Sequence, residues 1–86
     1  MKVLVTGGCG FLGSNLTAFY LEQGAEVVVS DALFRSGGEE NLAWLRRCAP
    51  QPERLHFVRA DLADAVAVDS TFQKFGPFDF VFHVGG

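Results

Sequence analysis

The sequence predicts an α/β fold built from βαβ units, and three observations carry this prediction. Short β-branched or aromatic runs alternate with longer stretches of helical periodicity, which is the pattern of parallel strands joined by crossover helices. The runs Val3-Leu4-Val5 and Val27-Val28-Val29 are apolar throughout, as expected for strands buried on both faces. Gly7, Gly10 and Gly13 lie between the first strand and the first helix. Together these features predict a partial Rossmann fold: a four-stranded parallel sheet in the order 3-2-1-4 with helices on both faces.

Each element is predicted from its own local pattern. The first helix has a one-sided apolar stripe and ends at Gly24, the second ends before Pro50, and the third runs from a capping Asp64 to Gly76-Pro77. The predicted strands are Lys2–Thr6, Glu26–Ser30, Leu55–Arg59 and Phe78–Val84. The predicted helices are Phe11–Gln23, Glu39–Cys48 and Asp64–Phe75.

The composition excludes several classes of protein. Of the 86 residues, 49% are hydrophobic and 20% are charged, which excludes a disordered chain. Two cysteines do not make a disulfide scaffold, and a net charge of -3 offers no basic footprint for nucleic acid. No apolar run approaches the roughly 18 residues of a membrane-spanning helix, and the first residues do not resemble a signal peptide. We therefore expect a folded, cytoplasmic protein whose partners include neither nucleic acid nor a membrane.

The glycine loop after the first strand is the most informative motif. In a dinucleotide site the first glycine permits a tight turn, the second lets the backbone approach the pyrophosphate, and the third lets the helix pack on its strand. The spacing of Gly7, Gly10 and Gly13 is Gly-x-x-Gly-x-x-Gly, so the strict Gly-x-Gly-x-x-Gly fingerprint is not met. A tight structural turn without a ligand is the alternative interpretation.

Asp31, directly after the second predicted strand, strengthens the dinucleotide interpretation. A carboxylate at this place binds the ribose hydroxyls of an adenosine, and it repels a 2′-phosphate, which favours NAD over NADP. Arg35 lies four residues further on and would offset part of that repulsion. A capping or turn aspartate is the alternative.

The remaining reactive residues are interpreted as structural. Cys9 lies near the amides of the first helix, which would lower a thiol pKa, but a small buried side chain is the favoured interpretation. Cys9 and Cys48 have no Cys-x-x-Cys element, so no metal site is predicted. His83 is favoured as a structural residue rather than a catalytic base.

The segment Thr6–Gly13 resembles the cofactor loop of the extended short-chain dehydrogenase/reductases, the nucleotide-sugar epimerases and dehydratases. Asp61-Leu62 is similar to the family's pair beside the adenine, and Phe82–Gly86 to its segment at the end of the fourth strand. Asp31–Gly37 with Asn41–Leu45 looks most like the branch of CDP-paratose and CDP-tyvelose 2-epimerases. The resemblance implies NAD as cofactor, and the implied cofactor-binding residues are Gly7, Gly10, Phe11, Leu12, Gly13, Asp31, Arg35, Asp61, Leu62, Val84 and Gly85.

The catalytic part of this family has no counterpart in the sequence. Family catalysis uses a Tyr-x-x-x-Lys pair, whereas Tyr20, the one tyrosine, is followed at the lysine position by Gly24. We therefore expect residues 1–86 to be a single truncated NAD-binding domain that lacks the substrate domain, has no catalytic residue and is inactive alone. Two alternatives stay open: a structural, oligomerising fragment with a vestigial site, and a piece of a longer CDP-sugar 2-epimerase, an isomerase.

The last predicted strand, Phe78–Val84, is expected to be an open edge with apolar side chains beside it. Such an edge recruits a partner, and a core of this size buries only about 60–65% of its unfolded surface. The sequence therefore predicts a homodimer that joins two of these edge strands.

Overall fold

The computed structural model describes residues 1–33, 37–61 and 63–84, and in them strands and helices alternate. A short 3-10 turn at Pro52–Arg54 precedes the third strand. The strands are β1 (Lys2–Thr6), β2 (Glu26–Asp31), β3 (Leu55–Arg59) and β4 (Phe80–His83). The helices are α1 (Phe11–Glu22), α2 (Gly38–Cys48) and α3 (Ala65–Phe75).

The four strands form one sheet in the order β3-β2-β1-β4, and every pair is parallel. β1 is central, with Val3 opposite Val27 of β2 on one side and opposite Phe80 of β4 on the other. The predicted strand order 3-2-1-4 is therefore confirmed.

Helices cover both faces of the sheet, as predicted. Successive side chains of a strand point to opposite faces. Leu21 of α1 and Leu42 of α2 pack in one buried cluster with alternate residues of β1 and β2, Val3 and Val27 among them. On the opposite face, the ring of Phe75 in α3 lies 5.3 Å from the ring of His56, the partner of Val28 in the sheet register. This division follows from right-handed crossovers, since β1-α1-β2 and β2-α2-β3 step one way across the sheet and β3-α3-β4 steps back.

Two helix ends match the expected signals. Gly24 has φ +83°, a left-handed conformation that suits glycine after a helix, and the Ala25 amide donates to Tyr20 O at 3.0 Å. The Asp64 carboxylate accepts hydrogen bonds from the amides of Val66 and Ala67, so Asp64 is the N-cap of α3.

The fourth strand is shorter than predicted. Regular strand pairing begins at Phe80 rather than Phe78, because the Asp79 side chain takes the Lys2 amide that a strand carbonyl would otherwise bind. Its Oδ2 accepts from the Lys2 amide at 2.7 Å, while its own amide donates to Lys2 O at 2.8 Å. The second strand is one residue longer than predicted and includes Asp31.

An aromatic patch, formed by Phe19, Tyr20, Phe80 and Phe82, lies where α1 meets β4. Tyr20 contacts Phe19 edge-on at 5.1 Å and Phe82 at 5.4 Å between ring centroids, and Phe82 stacks on Phe80. Phe80 is 50% exposed and Phe19 is 55% exposed. In the described residues β4 has β1 as its one strand neighbour, so its outer edge is open.

None of the helices within the described ranges combines the length and apolarity needed to cross a membrane.

Candidate functional site

The candidate site lies at the carboxyl ends of the four parallel strands. The Ala60 amide, just after β3, donates to Asp31 O at 3.1 Å, and the Val84 amide, just after β4, donates to Thr6 O at 3.0 Å. β2 and β3 lie on one side of β1 and β4 lies on the other, so the chain reverses its direction across the sheet between β3 and β4, and the switch point lies beside β1. Ligands of open α/β sheets bind in the crevice at such a switch point.

The glycine loop turns the chain from β1 into α1. Gly7 has φ +75° and donates its amide to Ser30 O at 2.7 Å, which ties the loop to β2. Gly10 is the N-cap of α1 and gives the first turn no side-chain hydrogen bond, and no acidic side chain lies in that turn. The first amides of the helix therefore remain donors for an external anion.

Gly13 is needed for the close approach of α1 to the loop. A Cβ atom added at Gly13 would overlap the carbonyl oxygen of Gly7 and lie 2.7 Å from Gly8 Cα. At Gly10, by contrast, an added Cβ would meet Gly7 O at 3.5 Å, which is an ordinary contact. The third glycine is thus required by packing, whereas the second leaves room above the loop.

Asp31 is bound to the glycine loop. Its Oδ2 accepts from the Cys9 amide at 2.9 Å, and its Oδ1 accepts from the Leu33 amide at 2.8 Å. A carboxylate has about four acceptor positions, so two amides leave each oxygen free to accept one further hydrogen bond. The loop and the acid, which the sequence indicates separately, are therefore one hydrogen-bonded unit.

Two further residues hold this unit, and neither was identified from the sequence as part of the site. Leu33 has φ +60°, which is rare for a leucine and costs about 1–2 kcal/mol, offset here by its amide bond to Asp31 and by packing against the core. Asn41 of α2 donates its side-chain Nδ2 to Cys9 O at 2.8 Å. The available signal was a polar residue in the first turn of α2 directly before the buried Leu42.

The other residues predicted for cofactor binding lie around the same edge. Phe11 and Leu12 begin α1 and are 84% and 65% exposed. Asp61 is exposed, and its Oδ1 accepts from the Ala63 amide at 2.9 Å. Val84 is half-buried after β4. The remaining predicted residues lie outside the described ranges and are Arg35, Leu62 and Gly85.

Cys9 is fully buried, and the activated-thiol alternative for it is wrong. Burial, and secondly the negative charge of Asp31, raises the pKa of the Cys9 thiol from 9.0 to about 12, whereas Arg46 acts to lower it.

The other cysteine, Cys48, is exposed. His83 pairs through Nδ1 with the Thr6 hydroxyl at 2.9 Å. Within residues 1–33, 37–61 and 63–84, no three His, Cys, Asp or Glu side chains come together as a metal site.

The fold and the hydrogen-bonded unit of glycine loop and Asp31 are those of the first part of a Rossmann-type domain. A family model described as the NAD dependent epimerase/dehydratase family matches residues 3–86. The chain therefore belongs to this family, and the resemblance seen in its glycine loop is confirmed.

Known proteins match this chain over its whole length but over only part of theirs. The CDP-paratose 2-epimerase of Salmonella typhi is 43% identical over 86 residues, which are 100% of this chain and 24% of that protein. The NAD complex of the UDP-glucose 4-epimerase from Thermus thermophilus superposes with a TM-score of 0.78 at 38% identity, again over 100% and 24%. A UDP-glucose-4-epimerase from Stenotrophomonas maltophila, with bound NAD and formylated UDP-arabinopyranose, gives 0.85 at 30% identity, over 100% and 24%. The chain thus spans about a quarter of these relatives, their amino-terminal part.

Replacing Gly13 by alanine is expected to destabilise the protein by about 1–3 kcal/mol, since its Cβ would overlap the backbone of Gly7 and Gly8. Gly10→Ala is the matched control, and we expect it to cost at most about 1 kcal/mol as a poorer N-cap. Urea unfolding monitored by circular dichroism measures both. Equal losses for the two variants would contradict the packing role given to Gly13.

Burial of Cys9 predicts a loss of stability at alkaline pH. The unfolded thiol releases its proton near pH 9.0, while the folded thiol keeps it until about pH 12. The unfolded state therefore binds fewer protons above pH 9, and the free energy of unfolding falls by up to about 1.4 kcal/mol per pH unit from this group. Urea unfolding from pH 7 to 10.5 should show a smaller decline for Cys9→Ala than for Cys48→Ala. Identical declines in both variants would refute the prediction.

Proposed function

We propose that the chain binds NAD through the glycine loop and Asp31. The observation that carries the proposal is the hydrogen bond between the Cys9 amide and Asp31 Oδ2, at 2.9 Å. It holds a carboxylate suited to ribose hydroxyls beside helix amides suited to a pyrophosphate, which are the two adjacent recognition elements of an adenosine diphosphate. The similar epimerase structures at 38% and 30% identity are complexes with NAD, which supports the same ligand for this chain.

The remaining predicted residues take their places in this proposal. Phe11, Leu12 and Gly13 form the first turn of α1 under the pyrophosphate, and Asp61 flanks the adenine from the end of β3. Val84 lies at the switch point, on the path from the pyrophosphate toward the nicotinamide. Arg35, Leu62 and Gly85 are proposed as cofactor contacts from the family resemblance.

NAD is proposed rather than NADP. The Asp31 carboxylate accepts amide hydrogen bonds at both of its oxygens, and it lies where the ribose hydroxyls of an adenosine would bind. A 2′-phosphate in contact with this carboxylate would add a second negative charge where the structure already holds one.

The described residues are proposed to supply binding and not proton transfer. Tyr20 packs between Phe19 and Phe82 in the aromatic patch, and Gly24 takes the place of the family's lysine. NAD, when bound, would accept a hydride, whereas the family's tyrosine and lysine transfer the proton.

In a longer protein the proposed activity is that of an isomerase, a nucleotide-sugar epimerase of the CDP-sugar type. A cytoplasmic location is proposed with it, since both cysteines are free thiols.

Calorimetric titration with NAD, ADP-ribose and NADP tests cofactor binding. We expect NAD and ADP-ribose to bind, NADP to bind at least tenfold more weakly, and Asp31→Asn to weaken NAD at least tenfold. Asp69→Asn is the matched control, because Asp69 is exposed on α3 and accepts a hydrogen bond from Gln73 of the same helix. The proposal would be rejected if none of the three nucleotides gave a heat of binding at millimolar concentration, or if the chain preferred NADP to NAD.

A second proposed property is self-association through β4. The open edge of β4 and the exposed Phe80 and Val81, 50% and 48% exposed, favour a homodimer that continues the sheet across a two-fold axis. In a longer protein of this family, a following strand would occupy the same edge.

Light scattering at tens of micromolar tests this dimer. The wild-type chain is expected at twice the chain mass, and Phe80→Lys at the monomer mass, because a charged edge residue opposes pairing. Val66→Lys is the control, since Val66 is 75% exposed on α3. A monomeric wild type, or a dimer that survives Phe80→Lys, would overturn the proposed interface.

A further inference from the structure

The Cys9 backbone is held by side chains from two different elements. Its amide donates to Asp31 Oδ2 at the end of β2, at 2.9 Å. Its carbonyl oxygen accepts from Asn41 Nδ2 of α2, at 2.8 Å. The peptide between Cys9 and Gly10 is also fixed at its other end, since the Gly10 amide donates to Gly7 O at 3.2 Å. The middle of the glycine loop is therefore clamped at three points.

We propose that Asn41 is a positioning residue for the glycine loop, which sets the orientation of the Cys9–Gly10 peptide and so of the amides that begin α1. This inference rests on the proposed function, in which those amides face a pyrophosphate. Asn41 acts through the loop backbone and is not itself assigned a contact with the nucleotide.

The placement of Asn41 suits this role. It lies in the first turn of α2, where its amide donates to Gly37 O at 2.9 Å, and it is half-buried. Its neighbour Leu42 is 6% exposed and packs in the same cluster as the fully buried Cys9. The side chain of Asn41 therefore starts from a fixed backbone, and a fixed donor constrains the carbonyl that it binds.

The packing of α2 on the loop adds to the same constraint. A Cβ atom added at Gly38 would lie 3.9 Å from Cys9 Cβ, so the start of α2 lies directly against the loop. Leu33, which is bound to Asp31 through its amide, fills the space beside Gly38. The loop, the acid and α2 thus form one connected network in which Asn41 provides the polar contact from the helix.

Three substitutions of Asn41 separate the hydrogen bond from the volume of the side chain. Asn41→Asp has nearly the same shape but places an acceptor against the Cys9 carbonyl. Asn41→Leu removes the donor without adding charge, and Asn41→Ser keeps a shorter donor. Glu40→Ala is the control, since Glu40 is the exposed neighbour on the same helix.

Nucleotide binding followed residue by residue in NMR titrations is the first measurement. For NAD and ADP we expect affinity to fall in the order Asn, Ser, Leu, Asp, with a loss of roughly tenfold for Asn41→Leu, as for one lost hydrogen bond. Adenosine, which has no pyrophosphate, should change less than twofold. A merely structural role would weaken all three ligands in proportion to the loss of stability, which urea unfolding of the same variants measures.

The reactivity of Cys9 is the second measurement, and it needs no nucleotide. In a Cys48→Ser background Cys9 is the single thiol, and its burial protects it from a disulfide reagent at pH 8. We expect Asn41→Leu to raise its reaction rate at least tenfold, with Glu40→Ala unchanged. If Asn41→Asp does not fold, the Leu and Ser variants decide.

The two measurements fail separately. Wild-type chain that binds no nucleotide would reject the proposed function, while the thiol rates would still report whether Asn41 holds the loop. Unchanged thiol rates, or equal losses for ADP and adenosine, would overturn the role of Asn41 even if NAD binds well.

Discussion

The hydrogen bond between the Cys9 amide and the Asp31 carboxylate is the interaction on which the candidate site depends. The glycine loop follows β1 and the carboxylate ends β2, so parallel pairing alone brings the two segments to the same edge of the sheet. Strand pairing does not by itself fix the distance between the glycine loop and the carboxylate. The 2.9 Å contact fixes their separation and joins the two segments into one candidate site. Because a buried amide left without an acceptor is costly, the carboxylate also stabilises the loop when no ligand is bound.

Much of the fold was predictable because its signals are local and consistent. Val27-Val28-Val29 is apolar throughout because both faces of β2 are covered, and Asp64 was recognisable as a cap because a short acceptor suits a helix start. The start of β4 was predicted two residues too early, because Phe78 fits a strand by composition. In the structure Asp79 instead contacts Lys2 just before the regular strand pairing begins, so Phe78 lies outside β4. Lys2 is seventy-seven positions away, and no local pattern contains such a contact.

The site was predictable at the level of motifs but not at the level of their supports. The glycine spacing and Asp31 are visible in the sequence because they are residue types that dinucleotide sites in general require. Asn41 and Leu33 are not, since an asparagine in a helix and a leucine in a turn carry no distinctive signal. The roles of both depend on the tertiary approach of α2 to the loop. For Cys9, by contrast, the favoured interpretation as a small buried side chain is confirmed, and burial raises its thiol pKa instead of lowering it.

The position of β1 in the sheet has a consequence for synthesis of the chain. The central strand β1 leaves the ribosome before the other three strands described, yet one of its two neighbours, β4, ends only at His83. Until that residue has emerged, β1 has a free edge beside apolar side chains such as Leu4, which is 2% exposed in the finished fold. The contacts between Lys2 and Asp79 then join the start of the first strand to the start of the last. Completion of the sheet is therefore a late event that requires nearly all the residues described, and the nascent chain needs protection from aggregation until then.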